Sequence, residues 1–89
     1  MTSRTSADFR RDLARLPQQV RRQARGVYRL FKANPHHPSL KFKKLPPHED
    51  LWSVRITNEY RAVGRWRGDM ILWFFIGSHA DYDKLLARL

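Results

Sequence analysis

Two guanidinium groups and one imidazole are the side chains of this sequence best suited to work on a phosphodiester. Trp52, Val54 and Ile56 alternate with Ser53 and Arg55, the period-two pattern of a half-buried strand. Tyr60 to Trp66 reads as a second strand, and Thr57-Asn58-Glu59 between them as a three-residue hairpin loop. That loop sets Ile56 opposite Tyr60 and Arg55 opposite Arg61. Like charges paired across strands destabilise by some fraction of ~1 kcal/mol, so a sheet shaped only for stability would avoid them. Arg67-Gly68-Asp69, read the same way, places Phe75 beside Arg61. The next strand, Met70 to Ile76, stops at Gly77 and delivers His79 just beyond its end, with Tyr82 one turn into a closing helix. Arginine forks match phosphate oxygens in two-point contact. Histidine titrates near neutrality and serves as acid or base. Such a set fits cleavage of RNA by its own 2′-hydroxyl, which needs a base, cations for the phosphorane charge and an acid for the leaving 5′-oxygen.

Each residue also has a plainer reading. Arg55 and Arg61 are then solvated sheet arginines or partners of Glu59 or Asp81. His79 is a capping or core histidine, and Tyr82 begins the packed stripe of its helix. His79 and Asp81 are two metal ligands without a third, so no metal is expected, and no cofactor either. Lys41, Lys43 and Lys44 are an anion-binding row or the protected edge of a sheet.

The elements that carry these residues are short. Ser6 and Asp8 lie in a capping-box pattern beginning at Thr5, and Phe9, Leu13 and Leu16 form one apolar stripe of a first helix. Pro17 ends it and suits the first turn of another. In that second helix Val20, Ala24, Val27, Tyr28 and Phe31 share a face, and Arg21, Arg25, Arg29 and Lys32 fall on a different stripe. Asn34-Pro35 stops it. Leu40 to Lys43 alternates like a strand, and Pro46-Pro47 breaks it. Met70 to Ile76 is apolar on both faces and should be central or covered on both sides. Ser78 to Asp81 caps the last helix, with Tyr82, Leu85, Leu86 and Leu89 as its stripe. Met1 to Thr5 is polar, with a short edge strand as one reading. The sum is an α+β domain over residues 1–89: an N-terminal helical hairpin on an antiparallel meander of three to four strands, then a short C-terminal helix.

Of 18 Lys and Arg residues, twelve lie in the first 45 positions against only Asp8 and Asp12, which accounts for the net charge of +10. The remainder balances six basic against six acidic residues. A field this one-sided points to a polyanion or an acidic protein partner. Cysteine is absent, which removes disulfide and thiol chemistry. The longest apolar run is far short of the ~20 residues of a membrane helix. A soluble, cytoplasmic protein is expected.

Several blocks resemble the RelE/ParE superfamily of bacterial toxins. They are Leu16-Pro17, Tyr28-Arg29-Leu30-Phe31, Asn34-Pro35-His36-His37-Pro38-Ser39-Leu40, Leu51-Trp52-Ser53-Val54-Arg55-Ile56, Tyr60-Arg61-Ala62 and Ile76-Gly77-Ser78-His79-Ala80-Asp81-Tyr82. The resemblance runs from about Phe9 to Leu86 and implies the same two helices on an antiparallel sheet. It implies a type II toxin–antitoxin module, with a cognate antitoxin as partner and, in RelE-like members, metal-independent cleavage of mRNA at the ribosome. Arg61 and Arg55 then occupy family phosphate-binding or catalytic positions, His79 resembles the catalytic histidine of the YafQ-like branch, and Tyr82 the aromatic that follows. The chain departs from the pattern in a weak first strand, in one basic residue on the Trp52–Arg55 strand where RelE-like toxins have several, and in its second histidine, His48 in a loop being the only candidate. On this reading Arg21, Arg25, Arg29, Lys32, Lys41, Lys43 and Lys44 contact messenger or ribosomal phosphates. The alternatives are a ParE-like inhibitor of DNA gyrase, which keeps the fold without nuclease residues, and a decayed toxin-like basic binding domain.

Overall fold

The computed structural model describes residues Met1–Leu89. Strand β1 (Thr2–Thr5) is followed by helices α1 (Ala7–Ala14) and α2 (Gln18–Ala33) and a 3-10 turn (Pro38–Leu40). Strands β2 (Lys43–Lys44), β3 (Leu51–Arg55), β4 (Tyr60–Arg67) and β5 (Met70–Ser78) lead into helix α3 (His79–Arg88). They form one sheet in the order β1-β5-β4-β3-β2. The expected α+β architecture is present. Its sheet has five strands and is mixed, because β1 runs parallel to β5.

Strand β1 has no apolar alternation for a sequence pattern to detect. Its inward groups are polar and satisfied instead. Ser3 Oγ accepts from Trp73 Nε1 at 3.1 Å and donates to Tyr28 Oη at 2.9 Å. The chain then turns into α1 with Ser6, not Thr5, as N-cap, its hydroxyl accepting from the Phe9 N–H.

The sheet buries both faces. On one face Phe9 of α1 and Ala24 and Phe31 of α2 pack on Val54, Ala62, Ile71, Trp73 and Ile76. On the other, Tyr82 of α3 packs with Leu45, Leu51 and Val63. Neighbours Ala62 and Val63 belong to different cores, as strand alternation requires. β5 is thus covered on both faces, as its unbroken apolar run predicts.

Two sequence expectations shift. Leu40 lies in the 3-10 turn and Lys41 is left-handed (φ 47°), so the strand expected over Leu40–Lys43 reduces to Lys43–Lys44. Leu40 and Phe42 still reach the first core, the Phe42 ring edge-to-face with Phe31 (centroids 5.0 Å apart) and stacked on Trp52 (centroids 4.6 Å apart). The second hairpin turn is two residues, not three. Arg67 pairs with Met70, and Gly68 takes φ +60°, the left-handed first position of a tight hairpin turn. A bulge follows: Gly64 pairs with Trp73 but Val63 with Phe75, leaving Phe74 as the extra residue. These two one-residue shifts add, so Gly77 rather than Phe75 lies opposite Arg61, on the same face.

Two glycines predict opposite responses. A Cβ on Gly64 would sit 2.9 Å from both the Ile71 and Trp73 side chains. Gly64→Ala should overpack this contact and cost about 1–3 kcal/mol in denaturant unfolding. A Cβ on Gly26, within α2, meets only an Arg29 nitrogen at 3.9 Å. Gly26→Ala should therefore stabilise by roughly 0.5–1 kcal/mol, from helix propensity alone.

Candidate functional site

The β3–β4 hairpin pairs Arg55 directly with Arg61, as its loop length predicts. Neither guanidinium is idle. Arg61 Nη1 donates to the carbonyls of Thr57, Asn58 and Tyr60, the last at 3.0 Å. Arg55 donates from Nε to the Ser39 carbonyl (3.2 Å) and from Nη1 to Asn58 Oδ1 (3.1 Å). These bonds satisfy carbonyls of an irregular hairpin loop and tie it to the 3-10 turn. Arg61 Nε and Nη2 make no hydrogen bond within the protein, and one edge of its fork stays open.

His79 arrives by a different route. Ser78 is the N-cap of α3 and accepts from the Asp81 N–H, and the His79 N–H donates to the Glu59 carbonyl at 2.7 Å. The helix start is thus fastened to the same hairpin loop that Arg61 holds. The imidazole, however, is directed elsewhere. Its Nδ1 lies 3.3 Å from Asp83 Oδ2 one turn on, its ring stands edge-on 5.8 Å from the Tyr82 ring, and its side chain is 51% exposed. It lines a cleft with Lys43, Lys44 and His48, and neither arginine lines that cleft. Of the three residues expected to converge, Arg55 and Arg61 pair across the hairpin and His79 lines the cleft. Their backbones gather at one loop, but their functional groups divide between the hairpin and the cleft. Tyr82, expected to stack on a base, is 7% exposed, belongs to the second core and lines the same cleft, its ring edge-on to His79.

The cleft lies between β2, the loop after it and α3, and has a volume of about 610 Å³. Its loop is firmly held. Leu45 is buried against the second core, its N–H donates to the Leu51 carbonyl at 2.8 Å, and the His48 N–H donates to the Leu45 carbonyl at 3.0 Å. Asp50 clamps the far end, accepting from Arg65 at 2.9 Å and Arg67 at 3.0 Å, while its carbonyl accepts from the Trp66 N–H. The hydrogen bond from Arg65, joined by that from Arg67, keeps the Asp50 carboxyl below its ordinary value of 3.8. Sequence reasoning noticed His48 but left it in a loop. Its place in the cleft that His79 also lines follows from Leu45 and Asp50 folding that loop back, an arrangement with no periodic signature.

The basic residues are spread over three places. Arg25 and Arg29 are exposed on α2, Arg21 donates to the Leu16 carbonyl, and Lys32 Nζ lies 5.1 Å from the centroid of the Tyr28 ring. Arg22, missed in the sequence reading, lies three and seven residues before Arg25 and Arg29 and so shares their stripe. None of these five pairs with a carboxylate in the fold. Lys43 faces the cleft, Lys44 is paired with Glu49 at 3.3 Å, and Lys41 is exposed. A second cleft of about 360 Å³ opens between α1, α2 and the sheet. Its floor includes Val54, Ile56, Ala62 and Trp73, and Arg10, Arg25 and Arg29 line it too.

Helical hairpin, mixed sheet and capping C-terminal helix define the class of fold seen in small bacterial and archaeal toxins. Solved structures share it. A chain of the RelB–RelE antitoxin–toxin complex from Methanococcus jannaschii superposes with a TM-score of 0.75 at 16% identity, over 91% of this chain and 95% of that one. The YoeB/ParE toxin from Agrobacterium tumefaciens gives 0.70 at 22% identity, over 89% and 99%. YafQ from E. coli gives 0.72 at 12% identity, over 90% and 94%. No curated protein matches the chain in sequence. The model of the ParE-like toxin domain matches residues 18–84, and the chain belongs to that family. No helix is long and apolar enough to cross a membrane.

The Asp50 clamp has a pH signature. A carboxyl whose folded pKa lies below its unfolded value adds stability above the unfolded pKa and loses it as pH falls through the folded one. Asp50→Asn should melt below the wild type at neutral pH. The gap should close in melts taken at progressively more acid pH, beginning below pH 4 or so.

Proposed function

We propose that this chain is the toxin of a type II toxin–antitoxin pair and cleaves mRNA at the ribosome, in the cytoplasm. The observation that carries the reading is that His48, His79 and Lys43 line one open cleft, in a chain of a toxin family. One neutral imidazole takes the 2′-hydroxyl proton as that oxygen attacks phosphorus. The other, protonated, gives its proton to the departing 5′-oxygen. A 2′,3′-cyclic phosphate and a free 5′-hydroxyl result. Two imidazoles supply both proton transfers, so the reaction calls for no metal-bound hydroxide. Lys43, with Lys44, offsets the charge that builds on the phosphorane. Arg61, through its open edge, binds a neighbouring phosphate, and Arg55 keeps the hairpin in register beside it. The exposed stripe Arg22, Arg25 and Arg29, with Lys32, meets messenger or ribosomal phosphates, a contact that weakens as salt rises.

The partner on this reading is an antitoxin. RelB and DinJ occupy that role in the complexes of RelE and YafQ. The apolar cleft between α1, α2 and the sheet, with Arg10, Arg25 and Arg29 beside it, suits an amphipathic segment carrying acidic residues.

A second reading has one observation in its favour. The matching family model is ParE-like, and gyrase inhibition needs the fold without the imidazoles. The two readings separate in one experiment. On induction in a bacterial host, the wild type should halt growth and introduce internal cuts in mRNA within minutes. His48→Ala and His79→Ala should each reduce cutting by about 10²–10⁴-fold, the usual worth of a proton-transfer group. Both side chains lie outside the cores, so circular dichroism should be unchanged. Full toxicity in both variants, with gyrase trapped on DNA, replaces this proposal with the second reading. Good soluble expression of the wild type without growth arrest leaves a binding domain only.

A further inference from the structure

The His79 imidazole has one of its two nitrogens engaged within its own helix. Nδ1 lies 3.3 Å from Asp83 Oδ2. The two residues are four apart in α3, which sets them on one face of the helix. An ionised carboxylate can only accept, so the hydrogen of this contact sits on Nδ1. Tyr82, buried in the second core, meets the same ring edge-on with centroids 5.8 Å apart. The backbone beneath is fastened to the Glu59 carbonyl. Nε2 is the ring nitrogen left for a ligand. His48 has no comparable partner, since the two acids that follow it are engaged elsewhere: Glu49 pairs with Lys44, and Asp50 with Arg65 and Arg67. Asp83 pairs with His79 and with no Lys or Arg. Both side chains of the pair are exposed, so it adds little to stability. What it governs is the ring.

We infer that Asp83 is the positioning residue of His79: it keeps a proton on Nδ1 and makes Nε2 the nitrogen that exchanges a proton with RNA. This rests on the nuclease reading and names, within it, the working atom and the group that selects it. The proton passes from the 2′-hydroxyl to Nε2 as the 2′-oxygen bonds to phosphorus, or from Nε2 to the 5′-oxygen as the bond of that oxygen to phosphorus breaks. In either direction the Nδ1 proton stays where Asp83 holds it, because the hydrogen bond at one ring nitrogen sets the state of the other. Without the carboxylate the neutral ring divides between two tautomers and turns about its side-chain bonds. Only part of the molecules then presents the right nitrogen at the right angle.

The test joins a spectrum to a rate. Ring-nitrogen resonances of the purified chain should show the neutral His79 ring protonated at Nδ1 in the wild type and in Asp83→Glu. In Asp83→Ala they should show a mixture of both tautomers. Cleavage of mRNA on purified ribosomes by Asp83→Ala should fall in kcat by about ten- to hundredfold, the usual loss when a group that orients a histidine is removed, with KM within about twofold. Asp83→Glu should recover most of that rate. Added to His79→Ala, Asp83→Ala should cost nothing further, because it acts only through the imidazole. A residue that merely stiffened α3 would slow the His79→Ala chain as well and leave the tautomer alone. Full-rate cleavage by Asp83→Ala, an unchanged tautomer or an additive loss in the double variant overturns the inference and leaves the nuclease reading standing. A wild type that cuts no RNA, with the tautomer still switching in Asp83→Ala, defeats the nuclease reading and the catalytic role of Asp83 with it, and keeps only its hold on the ring.

Discussion

Trp73 can lie across β4 only because position 64 has no side chain. The indole is 2% exposed. It meets Phe31 of α2 edge-on at 5.1 Å and donates to Ser3, whose hydroxyl donates in turn to Tyr28. One ring thus fastens the parallel edge strand, the long helix and the centre of the sheet. Any Cβ at position 64 would meet Trp73 and Ile71 at 2.9 Å, closer than packed atoms approach without displacement. The consequence reaches the far end of the sheet. The bulge at Phe74 lies next to this contact and carries β5 one residue further along β4. That offset brings the His79 N–H to the Glu59 carbonyl. The start of α3, and with it the imidazole, is offset by a bulge five residues upstream.

Charge is used in two distinct ways along the chain. In the second half the acids are largely structural. Asp50 holds Arg65 and Arg67, and Asp83 lies against His79. In α2 no carboxylate answers the cations. Exposed cations on a helix are tolerable in water, since repulsion at this distance is screened within about one Debye length. Arg21 and Lys32 still bind the Leu16 carbonyl and the Tyr28 ring, and a row of cations without carboxylate partners attracts anions. Arg25 and Arg29 belong both to this row and to the lining of the apolar cleft beneath it. A partner seated there and a phosphate backbone on α2 would compete for the same two guanidiniums.

The sequence was most informative where pattern and burial coincide. Phe9, Ala24, Phe31, Val54 and Ile76 all lie in the core that their periodicity indicated, and the first hairpin register followed from loop length. Strand β1 was scarcely legible, because Ser3 is held by hydrogen bonds rather than by hydrophobic burial. The second register was legible only in its parity. A two-residue turn and a bulge each displace pairing by one, and neither shows in an unbroken run of apolar residues. The site was half legible. The arginine pair was located correctly as backbone, but a register does not say where a long side chain ends. Arg61 Nη1 finds three carbonyls in and beside its own loop, local partners that no pairing register shows. Tyr82 follows the plainer reading of its stripe and is core.

The arrangement of the two cores bears on how such a fold acquires chemistry. The larger core holds α1, α2 and most of the sheet, and none of the cleft's polar groups belongs to it. The smaller core, Leu45, Leu51, Val63 and Tyr82, anchors the loop and helix that carry His48 and His79. Side chains on such peripheral segments can be exchanged at small cost, because surface substitutions rarely change stability by more than about 0.5 kcal/mol. Exchanging a residue of the larger core would cost several times that. A scaffold divided in this way can gain, shift or lose catalytic groups along β2, the Pro46–Asp50 loop and the first turn of α3 without changing its shape. One fold can then serve toxins with different targets, and the identity of the fold alone does not fix the target.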